Sequence, residues 1–127
     1  AEAEAALLDV VGTETDKSVL LRAMRALEGI ASQRAIPVLS DLASRPDVAV
    51  RSNAVSLLTS LDLTPEVIEE LKRHLDDPKF SIRLAAITAL AGGDDRGAYN
   101  AARESARGEN LFVRFVFWAR EKRDGRR

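Results

Sequence analysis

Along this chain the apolar residues return every three or four positions, in blocks separated by short polar, glycine-bearing or proline-bearing breaks. Such spacing gathers them on one face of a helix, the mark of amphipathic helices rather than strands. The pattern predicts helices near residues 2–11, 16–31, 33–44, 47–61, 64–76, 79–92, 95–107 and 110–123. The breaks fall where helix ends need them. Asp16, Asp47 and Asn110 stand as N-caps, Pro46 and Pro78 precede helices, and Pro65 after Thr64 suits a first turn, where its missing N–H costs nothing. "AGGDD" at 91–95 supplies a glycine stop and a new start.

The blocks also repeat one another. Aligning "PDVAVRSNAVSLL" from Pro46, "PKFSIRLAAITAL" from Pro78 and "ENLFVRFVFWAR" from Glu109 brings Arg51, Arg83 and Arg114 into register, 32 and 31 residues apart. Leu20 stands 31 residues before Arg51, so "KSVLLRAMRALEGI" fits the frame with the arginine replaced. A fainter echo links Ala5 and Leu8, Ile36 and Leu39, Ile68 and Leu71, Tyr99 and Ala102. Each unit is then expected to be two helices.

"AIPVL" at 35–39 followed by "RPDVAVRSNAVSLL" at 45–58 resembles the HEAT-like repeat, in particular the short form first associated with phycobilisome bilin lyases, whose units read roughly A-I-P-x-L and then D-P-D-x-x-V-R-x-x-A-x-x-A-L. The resemblance runs over essentially the whole chain, strongest in the second unit and in the second helix of the third. It departs at Leu20, Arg120 and Glu121, as terminal capping units often do. It implies an all-α fold, a right-handed α–α superhelix of about four helix pairs. A single domain over 1–127 is expected, with units near 1–31, 32–62, 63–94 and 95–125.

In a stack of such units, equivalent residues form a row along the solenoid. Arg51, Arg83 and Arg114 are expected to form a structural ladder, each laying its stem on apolar surface and donating to loop carbonyls and capping carboxylates, with Asp47 the nearby acid for Arg51. An anion-binding stripe is the functional alternative, interrupted at Leu20.

Composition narrows the chemistry. The chain has 127 residues, enough for one domain with a real core, and it is 46% apolar and 31% charged, against disorder. With no cysteine, disulfides, cysteine-based metal sites and a thiol nucleophile are excluded. The longest apolar run, "FVFWA" at 115–119, is far short of the roughly 18 residues of a membrane span, and a cytoplasmic setting is the default expectation. The opening "AEAEAALL" has no methionine, so a processed or excised chain is expected. The net charge of −1 hides an asymmetry: residues 1–95 carry 10 basic and 16 acidic side chains, residues 96–127 carry 9 and 4.

The resemblance places the second helices on the concave face. Counted from the arginine register, core is expected at the preceding residue and at three, six and seven after, leaving two before and one, two and five after on the open face. Ser18, Leu21, Arg22 and Arg25, then Ala49, Ser52, Asn53 and Ser56, then Ser81, Leu84, Ala85 and Thr88 make a shallow, small-residue wall. The last unit breaks the trend with Phe112, Phe115, Val116 and Ala119 beside Phe117 and Trp118, four of the six aromatics within seven residues. Aromatics with arginine are enriched at binding hot spots. The expected partner-binding set is therefore Phe112, Phe115, Val116, Ala119, Leu84, Thr88, Ser52 and Ser56, with packing of the rings into the last helix pair, or their coverage by a further repeat of a longer chain, as the alternatives. Arg107, Arg114, Arg120, Lys122, Arg123, Arg126 and Arg127 surround it, a solvated face or a steering field for an acidic partner.

Catalytic and cofactor signals are absent. His74, the one histidine, is expected to be exposed near Asp76 and Asp77, a weak metal set. Ser52, Ser56 and Ser60 share a helix face with no histidine in frame to act as base, and Glu66, Glu69 and Glu70 read as surface charges. "AGGDD" has none of the flanking motif of a phosphate loop. The expectation is a noncatalytic protein-interaction or scaffold module, without a cofactor, that binds another protein or another domain of its own chain, with self-association open. The alternatives are bilin-lyase-like handling of a tetrapyrrole and a weak nucleic-acid contact through the basic C-terminal end.

Overall fold

A computed structural model of the chain describes residues 2–125. Eight α-helices follow one another: α1 (Glu2–Thr13), α2 (Lys17–Ala26), α3 (Ile36–Ala43), α4 (Val48–Thr59), α5 (Pro65–Arg73), α6 (Phe80–Gly92), α7 (Arg96–Arg107) and α8 (Leu111–Asp124), with single 3-10 turns at Gln33–Ala35 and His74–Asp76. No strand occurs among the described residues.

The caps act as the sequence requires. The side chains of Asp16, Asp47, Thr64, Asp95 and Asn110 accept the backbone N–H three residues on, from Val19, Val50, Val67, Ala98 and Val113 at 2.8–3.4 Å. Each satisfies one of the first-turn donors that a helix leaves orphaned. The helix expected over 16–31 is shorter. It stops at Ala26, residues 27–30 form turns, and Gly29 takes φ 81°, a left-handed conformation that ends the helical path.

Helices pack in successive pairs, α1 with α2, α3 with α4, α5 with α6 and α7 with α8. The first helices form one row, α1 on α3 on α5 on α7, and α2, α4 and α6 form another. Leu27, Leu39, Leu42, Leu58, Leu71 and Leu90 are wholly buried between the rows, each worth about 1.5–3 kcal/mol of apolar burial. Against α6, helix α7 buries only Ala98, Ala102 and Ala106, one residue per turn. Small side chains there let the two axes approach closely.

Burial along the arginine register shows which neighbour each position faces. The residue before the register is buried in the later pairs, as Val50, Ile82 and Val113, but Val19 in the first pair is 44% exposed. Four residues after the register, Met24, Val55 and Ile87 are at most 1% exposed, whereas Trp118 in the last pair is 53% exposed. The position before the register therefore packs against the preceding pair, and the position four after it packs against the following one. The sequence frame expected Val19 in the core and did not assign the position four after.

Two further corrections concern polar residues. His74, expected at the surface, is 8% exposed, because the 3-10 turn after α5 folds it in beside Glu70, Asp77 and Arg51. Glu70, expected as a surface charge, is also buried, accepting from Ser40 Oγ at 2.7 Å and Arg73 Nη1 at 3.0 Å. Among the described residues no buried side-chain nitrogen or oxygen lacks a partner, as buried polar groups require.

Candidate partner-binding cleft

Arg51 and Arg83 make matching sets of bonds. Arg51 Nε and Nη2 donate to the two carboxylate oxygens of Asp77 at 2.7 and 3.1 Å, while Nη1 donates to the carbonyls of Arg45 and Pro46. Arg83 does the same with Glu109, at 2.7 and 3.2 Å, and with the carbonyls of Asp77 and Pro78. A planar guanidinium suits this fork, binding one loop behind it and one acid ahead. In both cases the acid stands 26 residues on, in the next helix pair. The acid for Arg51 is therefore not Asp47, which instead caps α4 and pairs with Lys17 at 2.8 Å. Hydrogen bonding to Lys17 holds the Asp47 carboxyl below its ordinary range. Burial alone would raise the Asp77 carboxyl, but the Arg51 and Lys79 hydrogen bonds outweigh it and hold it low. Arg114 has no such acid. Its side chain is exposed and makes no hydrogen bond or ion pair among the described residues.

The row of α2, α4 and α6 breaks at its last step. Helix α8 rests on α7 and stands off α6, leaving a cleft of about 350 Å³ between α6 and α8. Phe80, Leu84, Ile87, Thr88 and Ala91 form one wall, and Phe112, Val113, Val116 and Phe117 the other, with Asn110 and Arg120 at the rim. The cleft is almost entirely apolar for a local reason. Thr88 Oγ1 donates back to Leu84 or Ala85 carbonyl oxygen, at 3.0 and 3.1 Å, and Asn110 Oδ1 accepts the Val113 N–H. The Thr88 hydroxyl and the Asn110 side-chain oxygen are thus occupied by the helices that carry them.

Of the residues singled out in the sequence, Leu84, Thr88, Phe112 and Val116 come together in this cleft. Phe115 does not line it. It is 60% exposed and its ring lies 6.0 Å from that of Trp118, on which Lys122 Nζ sits at 5.9 Å. Ala119 is half-buried outside it, and Ser52 and Ser56 lie on α4, a helix away. Phe117 is the ring that packs inward, 5.7 Å from Tyr99. Sequence reasoning named Arg120 beside the site but missed Phe80, Ile87 and Ala91. The position four after the arginine register and the displacement of α8 that puts Ile87 in a wall were both outside its frame.

The basic C-terminal end is partly neutralised from within. Arg103 pairs with Glu121 at 3.0 Å and Arg107 with Glu104 at 3.1 Å. Arg126 and Arg127 lie outside the described residues. Among the described residues no cluster of three or more His, Asp or Glu could hold a metal ion, and no helix is long and apolar enough to cross a membrane.

Paired helices stacked in two rows and strapped by arginines from one pair to the next define an α-helical repeat protein. A family model described as HEAT repeats matches residues 4–91, more than half of the chain, and the chain belongs to that family. The match carries nothing specific to bilin lyases. No curated protein and no solved structure matches the chain.

Proposed function

We propose that the chain is a noncatalytic protein-interaction module and that the cleft between α6 and α8 is its docking site. HEAT repeats are commonly protein-interaction scaffolds, and one observation carries the finer reading. A cleft of about 350 Å³ with apolar walls stands open beside Phe112, which is 73% exposed. Contiguous apolar surface of this kind is expensive to leave in water unless something covers it. The occupant that fits is an amphipathic segment of a partner protein, inserting apolar side chains between α6 and α8 with an acidic residue toward Arg120 at the rim. The division into four units near 1–31, 32–62, 63–94 and 95–125 belongs to the same reading, with the cleft at the junction of the last two.

The test is capture with a photo-crosslinking amino acid at Thr88, comparing wild type, Phe112→Ser and a control, Ser56→Asp, on α4. A partner that crosslinks at Thr88, is lost with Phe112→Ser and is kept with Ser56→Asp supports the site. Capture indifferent to Phe112→Ser overturns it.

A further inference from the structure

The two ends of the stack are complementary. At the C-terminal end, Arg114 occupies the register of Arg51 and Arg83 but lacks the acid that each of those takes from the pair ahead. Trp118, in the position where Met24, Val55 and Ile87 are covered by the following pair, is 53% exposed. Between them a depression of about 150 Å³ is lined by Arg103, Arg107, Arg114 and Trp118.

At the N-terminal end the matching halves are present without the inter-pair partners that their counterparts have, among the described residues. Asp77, the acid that Arg51 grips, stands six residues before Arg83, and Glu14 stands six residues before Leu20 in the same register. Both carboxylates are held alike by the backbone N–H two residues on: Lys79 to Asp77 Oδ1 at 2.8 Å, Asp16 to Glu14 Oε2 at 2.9 Å. Glu14 has no cationic partner among the described residues. Val19 and Ala26, whose counterparts Val50 and Leu57 are buried against the preceding pair, are exposed. The net charges agree: residues 2–16 carry Glu2, Glu4, Asp9, Glu14 and Asp16 and no basic residue, facing a C-terminal unit rich in arginine.

We propose that this chain associates head to tail with further copies of itself, Arg114 and Trp118 of one molecule receiving Glu14 and Val19 of the next. The contact continues between molecules the stacking that Arg51–Asp77 and Arg83–Glu109 make within one. Its two surfaces differ, so it does not close on itself as a twofold dimer does, and successive additions give a ring or an open filament. It uses the end of the stack, not the α6–α8 cleft, and stands or falls independently of the cleft's occupant.

Sedimentation equilibrium of the purified 127-residue chain from micromolar to millimolar concentration tests it, with helical circular dichroism as the fold check and the emission of the single tryptophan as a local probe. Wild type is expected to gain mass past the dimer as concentration rises, with Trp118 emission moving to the blue as its ring leaves water. Glu14→Arg and Arg114→Glu each are expected to weaken association roughly tenfold or more, since each sets like charges against each other. Mixed in equal amounts, those two variants are expected to regain association, because each end then meets an end of opposite charge. The Glu14→Arg/Arg114→Glu double variant, with the signs exchanged, is expected to regain it alone. Glu66→Gln, which removes an exposed carboxylate on α5 away from both ends, leaves all of this unchanged. A wild type that stays monomeric throughout overturns the proposal. So does a closed dimer indifferent to Glu14→Arg, which points to aromatic faces meeting their own kind.

Discussion

Arg51 Nε lies 2.7 Å from Asp77 Oδ2, and the two side chains, 13% and 5% exposed, belong to different helix pairs. The bond fixes the spacing between neighbouring units and draws both groups out of water. Asp77→Ala leaves the guanidinium desolvated with no counter-charge and is expected to cost about 3–5 kcal/mol, whereas Arg51→Met with Asp77→Leu costs much less than the two single changes together. A double-mutant cycle in urea measures this. Lys17→Ala, which breaks a far more exposed pair, is expected to cost much less.

The contrast between core and cleft gives another prediction. Leu58 is completely buried, so Leu58→Ala removes packed methyl groups and is expected to cost about 2–5 kcal/mol. Phe112→Ser, at a residue 73% exposed, is expected to change stability by no more than about 0.5 kcal/mol. Thermal melts of both variants check the pair. A large loss from Phe112→Ser would make that ring part of the core.

Gly29 offers a test of the backbone alone. A Cβ added there meets nothing within 4 Å, yet φ is +81°. Gly29→Ala is therefore expected to destabilise by about 1 kcal/mol purely through conformation. Chemical denaturation measures it, and an unchanged midpoint would mean that the turn after α2 relaxes without cost.

Stability is expected to fall in two acid steps. Burial depresses the pKa of His74 below its ordinary 6.5, so the folded protein binds fewer protons there than the unfolded chain. Its contribution is complete above pH 6.5 and is lost as pH falls through the lower folded value. For Asp77 burial alone would raise the carboxyl, but the Arg51 and Lys79 hydrogen bonds and the nearby Arg51 and His74 charges together hold it below 3.8, and for Glu4 the Ser32 hydrogen bonds hold it below 4.5. These stabilise fully above those values and are lost at lower pH. Melting temperature against pH, in wild type and His74→Gln, separates the steps: the variant should lose the first and keep the other.

The repeating frame, the caps and the register of the three arginines were legible because they are local, written in spacings of three, four and about 31 residues. What each repeated position faces was not. The acid for Arg51 lies 26 residues away in the next pair, and Asp47, close in sequence, is engaged by its own helix and by Lys17. His74 and Glu70 were assigned to the surface by their polar chemistry, although positions 67, 70, 71 and 74 share one helix face; a short 3-10 turn folds His74 inward and Ser40 of the neighbouring pair covers Glu70. The cleft had only part of its lining in view. Phe112, Val116, Leu84 and Thr88 were chosen for their face, while Phe80, Ile87 and Ala91 join them only because α8 stands away from α6.

That separation also sets where the molecule yields first. A stacked chain holds each unit by its neighbours, and α8 rests chiefly on α7. Its amides are expected to exchange with solvent before those of α4, which is packed from both sides. The same helix carries one wall of the cleft, so a segment seated there would clamp the least anchored part of the stack. Occupancy would then be read out as slowed exchange along α8, and the affinity of the cleft and the firmness of the last unit would rise together.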